Sequence, residues 1–226
     1  MFSIAAIAAG LWFARERVVD PPTPVVAGAE TAEIDRQVRE ITYERARKGR
    51  GRYLVAILNA LSEGELESID DHGASSLVTF TGANVEVATS FMMRLKGPEP
   101  FSEVKLVSAQ GTTFRVTVKP STAPISIPAA ATLPERLDQA ALVDVLSALA
   151  RERGVTLDFK VLPSGRDRWL VKQPVQLTAK GGAQKLADFL AAIDASPTLT
   201  YVSRATLRNK ASGAVASVEV VSYARP

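Results

Sequence analysis

The sequence contains no cysteine and, in 226 residues, a single histidine, His72. The first absence removes disulfides, thiolate metal sites and cysteine nucleophiles together. It leaves the redox compartment open, since a chain without thiols suits oxidising and reducing spaces equally. The second absence excludes zinc sites built on several imidazoles and any chemistry that needs two histidines. Aromatic residues are sparse at 6%, and no strong excess of one charge exists, the formal net charge being +3. That excess is too small to point by itself to a polyanionic partner. Long apolar runs are lacking as well. The stretch Phe2 to Ala14 (FSIAAIAAGLWFA) is uncharged but only thirteen residues long. As a helix it spans about 20 Å, against a hydrocarbon core of about 30 Å.

What is present is ordinary foldable material, 46% hydrophobic and 23% charged, so the chain is not of the disordered class. Its length suits one large domain or two small ones. Residues 1–17 are expected to form a membrane segment cut short at its start, ended by Arg15-Glu16-Arg17. A secretory signal peptide would want a basic stretch before the apolar run and small residues at a cleavage site. A buried or amphipathic N-terminal helix of a soluble protein is the remaining alternative. Pro21, Pro22 and Pro24 then interrupt any helix. Over residues 27–48, Ile34, Val38 and Ile41 share one helical face, which predicts a helical stalk too short to fix an oligomeric state. Arg45 to Arg52 (RARKGRGR) reads as a solvated, flexible hinge, with a phosphate- or partner-binding patch as the alternative.

Residues 50–120 carry a regular order. Tyr53, Leu54, Ile57, Leu58 and Leu61 mark a helix, followed by strands near 66–70 and 76–81 around Asp71-His72-Gly73. A helix over 84–96 places Val87, Phe91, Met92 and Leu95 inward, and strands follow at 101–108 and 113–119 around Gln110-Gly111. A Pro/Ala-rich linker occupies residues 121–136. The same order, α-β-β-α-β-β, then repeats over residues 137–226. The helix carrying Leu142, Val145, Leu146 and Leu149 is followed by strands at 155–162 and 169–179. A helix over 183–195 and strands at 199–207 and 215–223 complete the unit. Phe91 and Phe189, Leu95 and Ile193, Phe101 and Leu199, and Val104 and Val202 match at one constant offset. The expected fold class is therefore α+β, with two tandem, circularly permuted ferredoxin-like units, each a four-stranded sheet with two helices on one face.

No chemistry-bearing constellation stands out. Asp70 and Asp71 beside His72 are adjacent on an extended strand, point to opposite faces, and read as a polar hairpin turn. Gly181-Gly182 precedes a helix but lies in no GxGxxG or Walker pattern. Glu63, Glu65 and Glu67 read as solvated surface. No catalytic, cofactor-binding or metal-binding residue is assigned, and no enzyme activity is expected. The rings of Phe80, Phe114, Trp169 and Tyr201 are scattered, unlike the fixed stacking positions of RNA-binding sheets. A soluble tandem module that binds RNA or a ligand is the alternative reading.

The run Leu61-Ser62-Glu63-Gly64-Glu65-Leu66-Glu67-Ser68-Ile69, then Gly82, then Phe101-Ser102-Glu103-Val104, resembles the periplasmic domains of the PilN and GspL families. Those families usually have proline where Ser62 stands and a larger apolar residue in place of Glu65. The second half is similar to PilO and GspM through residues 150–157 (ARERGVTL), 174–181 (PVQLTAKG) and 189–193 (FLAAI). The resemblance covers about residues 53 to 226. It implies an inner-membrane scaffold of a type IV pilus or type II secretion platform, with the bulk of the chain periplasmic. The partners implied are other platform subunits, PilN/PilO-like or GspL/GspM-like, with a homodimer as one arrangement and the membrane contacted through the N-terminal segment. No nucleic acid and no cofactor are expected. Those families place the two domains on separate chains, and this sequence joins them on one.

Overall fold

The computed structural model describes residues 25–97, 100–121, 131–136 and 138–226. The expected membrane segment 1–17 and residues 122–130 of the linker lie outside the described residues. The order begins with helices α1 (Val25–Lys48) and α2 (Arg50–Ala60), strands β1 (Glu65–Asp71) and β2 (Ser76–Thr81), and helix α3 (Val85–Leu95). Strands β3 (Phe101–Gln110) and β4 (Thr113–Pro120) complete the first half. The second half contains α4 (Gln139–Glu152), β5 (Thr156–Val161), β6 (Gly165–Asp167), β7 (Leu170–Gly181), α5 (Ala183–Asp194), β8 (Thr200–Lys210) and β9 (Gly213–Ala224).

Local sequence explains the boundaries. Asn84 caps α3 by accepting the Val87 N–H at 3.2 Å, and Asp138 caps α4 by accepting those of Ala140 and Ala141. The last hairpin of each half has a glycine at positive φ, Gly111 in the β3–β4 turn at 59° and Gly213 at the start of β9 at 114°. In β4, Phe114, Val116 and Val118 are buried on one face while Arg115 and Lys119 are exposed on the other, the alternation of a half-buried strand.

All nine strands form one antiparallel sheet in the order β3-β4-β2-β1-β8-β9-β7-β5, with the short β6 beside β7. Each half contributes the same internal order: third strand, fourth, second, first. The halves are sewn together where β1 meets β8, Ser68 opposite Arg208 and Ile69 opposite Leu207. The two sheets read from sequence as separate units are thus halves of one. Helices α3, α2, α5 and α4 lie in that order over one face, and a single apolar core runs beneath them. Phe80 stacks at its centre against Phe91 and Phe114, ring centroids 4.7 and 5.6 Å away.

Helix α1 lies on the other face. Its stripe of Ile34, Val38 and Ile41 packs with Leu170, Leu199, Val221 and Tyr223, residues whose neighbours Val202 and Val220 point to the helix layer. The stripe read as a stalk is therefore taken up by the chain's own sheet. Gln37, buried among these residues, donates to the Asp167 carbonyl at 2.7 Å and accepts the Trp169 N–H at 3.0 Å. That clamp fixes the β6–β7 hairpin, a strand pair the periodicity did not show. The end of the linker is held too, because Thr132 forms a parallel bridge with Thr198 while Ala131 and Leu133 join the α1 cluster.

Candidate functional site

The charged string Arg45 to Arg52, read from sequence as a solvated hinge, is instead the joint between the halves. Gly51 lies in the first turn of α2 against the backbone of α5, so closely that a Cβ there would come within 2.2 Å of the Ala191 nitrogen. The end of α5 caps the start of α2 and is itself capped from α1. Asp194, the last residue of α5, accepts the Gly51 N–H at 2.7 Å and satisfies an amide at the α2 N-terminus. Its other oxygen accepts the Val202 N–H at 2.8 Å. Arg45 of α1 in turn donates to the carbonyls of Asp194 and Thr198, each at 2.7 Å, and to that of Ser196, beyond the C-terminus of α5. The cation at that end also complements the helix dipole.

A second polar contact seals the strand side. Arg50 and Asp71 form an ion pair at 2.8 Å whose side chains are 7% and 2% exposed. Asp71 further accepts the Gly73 N–H at 2.8 Å and, across the seam, the Ala205 N–H at 3.4 Å. The turn residue Asp71 thus belongs to the joint, whereas His72 beside it is exposed.

Burial sets the protonation of Asp194. Its carboxyl is pushed from 3.8 to about 6, chiefly because burial disfavours the charged form, with the Val202 and Gly51 amides and Arg45 only partly compensating. Burial likewise lowers the Arg45 guanidinium, and the Asp194 charge opposes that shift. A carboxyl that holds its proton more tightly folded than unfolded stabilises the fold at low pH. That contribution is lost as pH rises from about 3.8 through about 6. The difference corresponds to about 3 kcal/mol. Stability contributed by this group is therefore expected to fall across that window. D194N is expected to flatten the slope of urea midpoints against pH, and an unchanged slope in D194N would assign it to other groups.

An apolar groove opens between α4 and α5, with a volume of about 240 Å³. Leu142, Val145 and Leu149 line one wall, Ile193 and Pro197 the other. Its floor is a run of hydroxyls that satisfy one another, Ser196 to Thr198 at 2.9 Å, Thr198 to Thr200 at 3.1 Å and Thr200 to Ser222 at 2.9 Å. A second, more polar cleft lies under α1, where the Tyr223 hydroxyl donates to Asp167 at 3.2 Å. Burial pushes the phenols of Tyr223 and Tyr201 upward.

The residues weighed for chemistry do not converge. Glu63, Glu65 and Glu67 are exposed, and Gly182 caps α5 without a side-chain bond. Among the described residues, no three His, Cys, Asp or Glu side chains are grouped to hold a metal ion. Phe80 and Phe114 are fully buried, Tyr201 lies against α1, and Trp169 is in the β6–β7 turn. The face of the sheet away from the helix layer carries Lys105, Arg115, Thr117 and Lys119 in the first half and Arg204 and Arg208 in the second. There Glu103 pairs with both Lys105 and Lys119, which hold its carboxyl down at about 2. Among the described residues no helix is long and apolar enough to cross a membrane.

No protein-family model matches the chain, and no curated protein matches it. Among solved structures, the type 4 fimbrial biogenesis protein PilO from Pseudomonas aeruginosa is similar over 42% of this chain and 73% of its own, at 18% identity and a TM-score of 0.38.

Proposed function

We propose that this chain is a non-catalytic scaffold of an assembly platform of the type IV pilus or type II secretion kind, working by protein–protein association through two ferredoxin-like units. In this reading the chain is held at the inner membrane by its N-terminal segment, with the two units in the periplasm. Its partners are the other platform subunits. The observation that carries the proposal is the joint between the units. Two halves of identical strand order spend a strand edge, a helix face and a buried ion pair on binding each other. Strand-edge and helix-face pairing of this kind is also how separate domains associate, which supports the reading. The run Leu61 to Ile69 and the residues 150–157, 174–181 and 189–193, which resemble platform proteins, lie in these same two halves. The RNA alternative finds less support, since stacking onto a sheet needs exposed rings on its open face. Here Phe80 and Phe114 are in the core.

The test is fractionation of cells expressing the tagged chain, followed by cross-linking and capture. The expected result is a chain that sediments with inner membranes, resists high salt and captures platform subunits of the pilus or secretion type. A cytosolic chain in a salt-sensitive complex with nucleic acid would overturn the reading.

A further inference from the structure

The internal joint joins the first strand of one half, β1, to the third strand of the other, β8. The two strands left at the ends of the sheet are β3, a third strand, and β5, a first strand. The molecule therefore ends in the same two kinds of edge that it joins in its middle. The helix layer repeats the relation: α2 packs on α5 at the joint, while their counterparts α4 and α3 stand at opposite ends of the row.

Register makes the correspondence residue by residue. In the first half, Ile69, Val78, Val116 and Leu106 lie in one row across β1, β2, β4 and β3. In the second half the matching row is Phe159, Leu177, Val218 and Ala205 across β5, β7, β9 and β8. Ile69 is 1% exposed, because β8 covers it, whereas its counterpart Phe159 at the free edge is 43% exposed. Ala205, covered by β1, is 2% exposed, and its counterpart Leu106 at the other free edge is 40% exposed. Of the seven exposed large hydrophobic residues among those described, six lie on the four terminal elements. Val85, Met93, Leu106 and Val107 are on α3 and β3, and Val145 and Phe159 are on α4 and β5. Single exposed apolar residues are ordinary, but confinement to two complementary ends is not.

We infer that the two ends bind each other between molecules, so that β5 and α4 of one copy dock on β3 and α3 of a second copy and repeat the internal joint. The contact is heterologous, since each copy offers a different end, and it propagates the sheet head to tail. Strand β3 carries irregularities after Phe101 and after Leu106, devices that normally blunt an edge. Strand β8 carries one after Val202 and still pairs beyond it, at Leu207 and Arg208. The residue of β3 in the place of Leu207 is Ala109, which pairs with Phe114 and is exposed. The intermolecular pairing therefore sets Phe159 opposite Ala109. The caps of the joint are not repeated: Lys96 stands where Asp194 stands in the other half, and α4 is capped by its own Asp138. Contact between copies is accordingly weaker than the internal joint and rises with concentration. This inference concerns the purified chain alone and does not depend on the platform reading.

The absence of native cysteine gives a clean test. F159C and A109C are made singly in the full chain, and the two proteins are mixed and oxidised. Opposed residues of an antiparallel pair are close enough for a disulfide. The mixture is expected to give a linked dimer at roughly tenfold the yield of either variant alone, and the F159C/A109C double variant is expected to give a ladder of higher species. Sedimentation supplies the second measurement. F159D and L106D, each at an exposed position, are expected to associate less than the parent when alone and to form a dimer when mixed, each supplying the end the other lacks. Equal linking in each single variant would indicate a symmetric contact and overturn the inference. So would monomers at every concentration, or association undiminished in F159D/L106D.

Discussion

Replacing Gly51 with alanine is expected to lower the stability of the chain by about 3 kcal/mol or more, against the usual effect of that substitution in a helix. Glycine to alanine inside a helix ordinarily gains about 0.5–1 kcal/mol, because alanine loses less backbone freedom on folding. At Gly51 that gain is outweighed by overlap. The new Cβ would lie 2.2 Å from Ala191 N, 2.3 Å from Leu190 C and 2.4 Å from Ala191 Cα, all backbone atoms that no rotamer change can move aside. Helices α2 and α5 must separate, and the bond from the Gly51 N–H to Asp194, with the packing of Ile57 and Leu190 beneath, is strained as they do. The control is Gly28, in α1, where a Cβ meets nothing within 4 Å. G28A is expected to raise the urea midpoint slightly and G51A to lower it strongly. Equal and small effects of the two would show that the seam tolerates a wider helix spacing than the close approach implies.

Hydrophobic period made much of this architecture legible in the sequence, but not the joint. Val87, Phe91 and Leu95, like Leu186, Phe189 and Ile193, sit at helical spacing and are all buried. A period tells which face of an element is covered and is silent about what covers it. That is why the stripe of Ile34, Val38 and Ile41 suggested a stalk, although its partner is the sheet of the same chain. The same silence hid the continuity of the sheet: β1 and β8 are distant in sequence, and their ladder is only two residue pairs long.

The charged string failed for a different reason. Arginines among glycines are usually solvated, and nothing local distinguishes Arg45 and Arg50 from Arg47 or Arg52. Their partners are carbonyls beyond the end of α5 and a carboxylate at the end of β1, which only the fold brings near. The available signal was the pair Gly49 and Gly51 at a helix start, where alanine would have been the better helix former. Glycine retained there marks a close approach of backbone to backbone. The open groove between α4 and α5 left no trace either, because Leu142 and Leu149 have the spacing of any core-facing helix residues.

The Arg50–Asp71 pair is the other place where one substitution is expected to cost heavily. Burying two charges is expensive, and their mutual attraction repays the cost only while both are present. D71A would leave the Arg50 guanidinium, 7% exposed, without its counter-ion, and would free the Ala205 N–H at the seam. The expected loss is about 3–5 kcal/mol, read as a fall in the urea midpoint. R50M, which keeps an unbranched apolar stem but removes the guanidinium, is expected to lose a similar amount by depriving the buried Asp71 carboxylate of its counter-ion. The double variant R50M/D71A decides whether the charges themselves are at fault. If stranded charge is the main cost, the two losses will not add, and the double variant will be more stable than either single one. Some loss must remain, because the buried Ala205 N–H still lacks an acceptor, at about 1–3 kcal/mol for a buried donor, while the Gly73 amide lies at an exposed turn. Additive losses would mean instead that Asp71 acts mainly through those two amides. The seam would then be held by the backbone bonds of Asp71 rather than by its ion pair.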